Sequence, residues 1–299
     1  MTVHSPLPIV RQSQSMKKIR AGRLLLIPLL LASLTFAGCV ATTLLYNHAD
    51  WLIARQIDGY FDLTRPQKTF VSSRLTGILS HHRHEALPRY ESVLHQATVR
   101  VQDGVSTDDL DWAFVQYDQL RADLFGRFVS DGTEFVRQVN DSQVNRLKSA
   151  LQSRLARQEA LLQDDPSKRL AKRTERILGL VREWLGPLSP QQEQEITRLT
   201  MRFPDSLPAW YAHQKRRHDQ LLALIESRSS DQTPARLHDW LVNQDDDSDP
   251  HFVEMTKQLR RHITGLILSL DRSATPAQRQ HFFAKVDDLA ATIRRLQAA

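Results

Sequence analysis

The chain has 299 residues, with 40 Lys and Arg against 34 Asp and Glu and a single cysteine, Cys39. Five of those cations and no acid fall in residues 1–38, which leaves the remainder near neutral at 35 against 34. Net charge therefore gives no case for nucleic-acid binding, and one cysteine excludes an intramolecular disulfide framework, so stability must come from a hydrophobic core.

The N-terminal segment has three parts. Arg11, Lys17, Lys18, Arg20 and Arg23 precede an apolar run over 24–34, and small Ala37 and Gly38 stand directly before Cys39. A cationic region, a short apolar stretch and small residues at the cut are the layout of a secretory signal. The cysteine adds a lipoprotein reading, since its thiol can carry a diacylglycerol once the signal is removed. The apolar run is shorter than the roughly 20 residues a membrane span needs, and Pro28 interrupts it. Met16, followed by two lysines, is the more natural start, and residues 1–15 are left out of fold reasoning. Val40, rather than Asp, follows the cysteine, which favours sorting to the outer membrane with the domain facing the periplasm.

Residues 44–63 come next and carry Leu45, Trp51, Leu52, Ile53, Ile57, Tyr60 and Phe61. Burial in the core is the preferred account of these side chains; a helix lying on the bilayer is the alternative. The six steps from Cys39 to Leu45 span at most about 20 Å, so the domain is expected close to its membrane.

From there on the periodicity is helical. Phe70, Val71, Leu75, Ile78 and Leu79 share one face, as do Ile177, Leu178, Val181 and Leu185, and then Leu259, Ile263, Leu266, Ile267 and Leu270. Thr64 with Gln67, Ser189 with Gln192, and Thr275 with Gln278 predict capping boxes; Ser106 with Asp109 is a weaker one. Their spacing is irregular, and helix capping explains them better than a functional repeat does. Loops are expected at Asp103-Gly104, Asp164-Asp165-Pro166, Gly186-Pro187, 203–208, 229–233 and 245–250. The predicted architecture is all-α: an irregular bundle of about eight helices after a cleaved lipoprotein signal peptide. Residues 1–38 form the signal and 39–299 one helical lipoprotein domain.

Searches for chemistry end in solvated surfaces. His81, His82, His84 and Glu85 share a helical stretch, but Arg83 interrupts them and no matching second ligand group exists. The run Asp245-Asp246-Asp247-Ser248-Asp249 opens like a calcium loop, then fails at its sixth and twelfth places, Pro250 and Thr256. No Gly-rich phosphate loop, His-Glu-x-x-His or Gly-x-Ser-x-Gly motif is present. No catalytic residue, metal ligand or cofactor is therefore assigned. The region 146–182 holds ten Lys and Arg. Arg154, Arg157, Lys168, Arg169, Lys172, Arg173 and Arg176 are its candidate binding surface for an envelope protein or cell-wall polymer.

Three stretches carry a resemblance. They are Tyr46-Asn47-His48-Ala49-Asp50-Trp51-Leu52 with Tyr60-Phe61-Asp62-Leu63-Thr64 and Gln67; His82 with Leu87-Pro88-Arg89-Tyr90; and Arg182-Glu183-Trp184-Leu185-Gly186-Pro187-Leu188-Ser189 with Gln192. Together with the late Thr275-Pro276-Ala277-Gln278-Arg279, they resemble the DUF 6279 lipoproteins of Gram-negative bacteria across 39–299. His81 stands where an aromatic residue is expected. The resemblance implies a lipidated envelope protein of unknown function and supplies no catalytic residues. The Leu-Ser/Thr-x-x-Gln pieces are also faintly similar to the repeated motif of small periplasmic helical chaperones. The expected role is a lipid-anchored binding or chaperone-like module, not an enzyme. A structural spacer at the cell wall, or a hydrolase with an unrecognised site, are the alternatives.

Overall fold

The computed structural model describes residues 39–244 and 249–298. The signal expected over 1–38 and most of the acidic run lie outside the described residues. Every described element is helical, in chain order: α1 Cys39–Asn47, α2 Ala49–Phe61, α3 Arg65–His81, a π-helical turn π1 His82–Ala86, α4 Leu87–Arg100, α5 Thr107–Gly126 and α6 Phe128–Arg137. Then follow α7 Asp141–Leu162, α8 Pro166–Leu185, α9 Pro190–Thr200, α10 Leu207–Glu226, α11 Thr233–Leu241, α12 Pro250–Ser273 and α13 Pro276–Ala298. The class is all-α, as the periodicity indicates. The helices outnumber the expected eight because interruptions at His48, at His82–Ala86, at Arg127 and between Arg137 and Asp141 fall inside stretches that read as continuous.

Three apolar clusters form most of the interior. The largest joins α3, α6, α7, α10 and α11 through Val71, Leu75, Phe135, Val136, Leu147, Leu151, Leu224, Ile225 and Leu237. A second joins Leu178 and Val181 of α8 to Ile196, Phe203 and Leu266, with Leu259, Ile263 and Leu270 packed against it. A third brings the two ends of the described chain together: Tyr46, Leu87 and Tyr90 pack with Ile293 and Leu296 of α13. The helical faces read from the sequence are thus the faces that are buried.

The predicted boxes cap their helices, and their glutamines also make a second set of contacts. Gln67 Oε1 accepts from the Thr64 N–H at 3.0 Å, while its Nε2 donates to Gln143 Oε1 and to the Gln138 carbonyl. Gln143 mirrors this: its Oε1 caps Asn140, and its Nε2 donates to Gln67 Oε1 and to the Asp62 carbonyl. Gln192 and Gln278 repeat the arrangement at the starts of α9 and α13, donating to each other and to the Ser273 and Pro187 carbonyls. In all four cases the accepting carbonyl lies two residues before the partner's cap. All four glutamines are buried. The boxes therefore cap their helices as expected, and the glutamines of four of them also meet in two pairs.

Residues 44–63 divide between the two accounts given for them. Tyr46 and Ala49 are buried and Leu52, Ile53, Ile57, Tyr60 and Phe61 are half-buried, but Leu44, Leu45 and Trp51 are exposed. Because α1 is helical, Cys39 to Leu45 advances only about 9 Å, less than half the extended limit.

Candidate functional site

The seven candidate cations of 146–182 do not form one surface. Arg154 is 8 % exposed and donates to the Tyr60 hydroxyl at 3.1 Å, so it faces the interior between α7 and α2. Arg169 turns back onto the Leu162 and Asp164 carbonyls and pairs with Asp205. Arg173 donates to the Phe203 and Pro204 carbonyls at 3.0 and 2.7 Å and lies over the Phe203 ring. Arg154 thus ties one helix to another, and Arg169 and Arg173 tie α8 to neighbouring loops.

Lys168, Lys172 and Arg176 behave differently. At four-residue steps they line the outer side of α8, all exposed, and the line continues to exposed Leu180. Lys172 reaches Asp164 at 3.4 Å in a solvated pair worth little. Arg157 and Leu161 are exposed on the last turns of α7. These seven residues read as one group because a charge count does not record which side of a helix faces inward.

The histidine stretch also separates. His81 and Glu85 border one recess, which His84 does not reach. Arg83 donates to Asn47 Oδ1 and lies over the Tyr46 ring, and His84 meets the Ser80 carbonyl. Among the described residues no group of three or more His, Cys, Asp or Glu is placed to hold a metal. His82 itself sits between two tyrosines, with Nδ1 2.9 Å from the Tyr46 hydroxyl and Nε2 3.3 Å from the Tyr90 hydroxyl. Burial, with a contribution from His81, holds the imidazole down to about 4; burial pushes both phenols up to about 12. At neutral pH the cluster is an uncharged relay in which one ring nitrogen donates and the other accepts. Both nitrogens are occupied, so His82 joins α1 to α4 rather than presenting a base. Beside it lies a recess of about 100 Å³ bordered by His81, Glu85, Arg89 and Asp123. π-Turns frequently mark functional segments, and this one is the feature that periodicity alone did not reveal.

A wider open groove, about 410 Å³, runs between α10 and α11. Trp240 forms its wall, donating from Nε1 to the Arg217 carbonyl at 3.0 Å, with the Arg217 guanidinium stacked 4.4 Å from its ring centre.

A family model described as a family of unknown function, DUF6279, matches residues 59–246. The chain belongs to that family. The matched stretch includes Tyr60 to Gln67, the His82 to Tyr90 turn, and Arg182 to Gln192. The Tyr46 to Leu52 motif and Thr275 to Arg279 lie outside it. The DUF6279 match covers both Gln67 and Gln143 of the first clamp, but only Gln192 of the second. No curated protein and no solved structure matches the chain. No helix among the described residues is long and apolar enough to cross a membrane.

Proposed function

We propose that this chain is an envelope lipoprotein, held by lipid on Cys39 at the periplasmic face of the outer membrane, whose helical domain binds an envelope protein and does no catalysis. The cationic, then apolar, then small-residue layout ending at Cys39 supports the anchor. The binding role is carried by one observation: Lys168, Lys172 and Arg176 form an outward line on α8 that ends at exposed Leu180. The inward arginines of the same region already hold structure, so this line is the part left to meet an acidic partner.

In-cell photocrosslinking from positions 168, 172 and 176, followed by mass spectrometry, tests the role. A discrete protein adduct supports a binding module. Cell-wall or lipid adducts alone would replace it with a spacer lying against the wall. Metabolic labelling with palmitate tests the anchor separately, since a Cys39→Ser chain must lose the label.

A further inference from the structure

The strongest unassigned surface is the outer side of the first two helices. His48 has φ −113° and ψ 16°, yet its N–H still bonds the Leu44 carbonyl, and the Leu52 N–H bonds that of His48. The helical path therefore continues through the break and places Leu44, His48, Trp51 and Arg55 in one line, with Leu45 beside it. All five are exposed, Leu44 by 59 % and Trp51 by 55 %. The Arg55 guanidinium lies 5.4 Å from the Trp51 ring centre. The opposite side is committed to the protein interior, through Tyr46 against Ile293 and Leu296. Asp50 reaches back to the Thr76 hydroxyl, away from the line.

We propose that this line is a membrane-seating surface: Leu44, Leu45 and Trp51 enter the acyl boundary of the bilayer, and Arg55 meets anionic headgroups. The proposal rests on the anchored reading above, in which the lipid is carried by Cys39, the first residue of α1. Leu44 is then about 8 Å and Trp51 about 18 Å along the helix from the lipid. A helix lying flat keeps both at the interface, where Trp and Arg with an apolar neighbour are at home. A helix standing upright carries Trp51 out into water. Seating fixes the orientation of the whole domain, since α1 and α2 are packed into it.

Cys39 is the chain's only cysteine. In the lipidated protein its sulfur is blocked, and a single introduced cysteine becomes the only free thiol. Full-length protein carrying Leu44→Cys or Trp51→Cys is labelled with bimane and reconstituted in phosphatidylethanolamine–phosphatidylglycerol vesicles with or without nitroxide-bearing lipid. Val115→Cys and Leu161→Cys, also at exposed apolar positions, serve as references. The expected result is quenching at 44 and 51 by at least about twofold more than at 115 and 161. Equal quenching at all four sites overturns the seating, as does shielding at 44 and 51 by a second copy of the chain without lipid quenching. Thiol titration of the parent protein separates the two levels. A blocked thiol leaves the seating to stand or fall alone, whereas a free Cys39 thiol removes the anchor and the seating with it.

Discussion

Gln67 and Gln143, 76 residues apart, hold each other through two amide hydrogen bonds of 3.1 and 2.7 Å. Gln192 and Gln278, 86 apart, do the same at 2.9 and 3.0 Å. Each pair sets two helix N-termini against one another. Like ends of two helix dipoles do not attract, so the amides must supply the attraction locally. A glutamine suits the place because one oxygen caps its own helix while two N–H donors reach across.

Removing one partner should therefore cost more than a surface cap. Gln143→Ala is expected to destabilise the fold by about 2–4 kcal/mol, since it strips several buried hydrogen bonds at once. The double variant Gln67→Ala/Gln143→Ala should fall short of the summed single effects by about 1 kcal/mol. Urea titrations of the four proteins in the cycle measure this; strict additivity would show that the pair is not coupled.

Acid should loosen the joint between α1 and α4. His82 is held near 4 against an ordinary 6.5, so between those values the unfolded chain takes up a proton that the folded chain refuses. The contribution is complete above about pH 6.5 and declines as pH falls, by on the order of 3 kcal/mol across the window. His218, also held near 4 by burial and Arg154, carries the same sign. Melting curves from pH 7.5 to 4.5 should show a shallower fall for His82→Gln than for the parent. Parallel slopes would assign the acid sensitivity elsewhere.

The two classes of cation in 146–182 should respond in opposite ways. Arg173→Ala leaves the Phe203 and Pro204 carbonyls without their donor and is expected to cost about 2 kcal/mol. A triple Lys168→Glu, Lys172→Glu, Arg176→Glu variant should change stability by less than about 1 kcal/mol while abolishing crosslinks from a probe placed at exposed position 180 of the same line. If the triple variant keeps its crosslinks, the outward line is an ordinary solvated surface.

Two glycines give a backbone contrast. Gly186 ends α8 with φ 78° and ψ −157°, a region that side chains rarely occupy, so Gly186→Ala is expected to destabilise by about 1–3 kcal/mol. Gly179 lies inside α8, and a methyl there meets nothing within 4 Å. Gly179→Ala should stabilise by about 0.5–1 kcal/mol. Thermal denaturation of both variants decides the matter, and a shared sign would contradict the geometry.

Much of this was legible before any coordinates. Leu178, Val181 and Leu266 announce their buried sides by spacing, and Thr64, Ser189 and Thr275 announce helix starts by local chemistry. The Asn140–Gln143 box follows the same rule with Asn as the cap, a less familiar form of the same local signal. What local pattern does not carry is the meeting of distant elements. Nothing near Gln67 points to Gln143, nothing near Arg154 points to Tyr60, and the His82 ring finds its partners on tyrosines 36 residues before and 8 after.

The cluster formed by Tyr46, Leu87, Tyr90, Ile293 and Leu296 imposes an order of assembly. Tyr46 and Leu296 are 250 residues apart, so α1 packs against Leu87 and Tyr90 nearby but completes its burial only when α13 joins it. α13 covers α1 through Ile293 and Leu296, and its Arg294 and Gln297 fasten to Glu91 of the adjoining α4 at 2.9 and 3.1 Å. The closing helix acts as a latch on the opening one. Loss of Ile293 and Leu296 would uncover Tyr46, Leu87 and Tyr90 together, so the start of the domain depends for its burial on residues some 200 to 250 positions further along the chain.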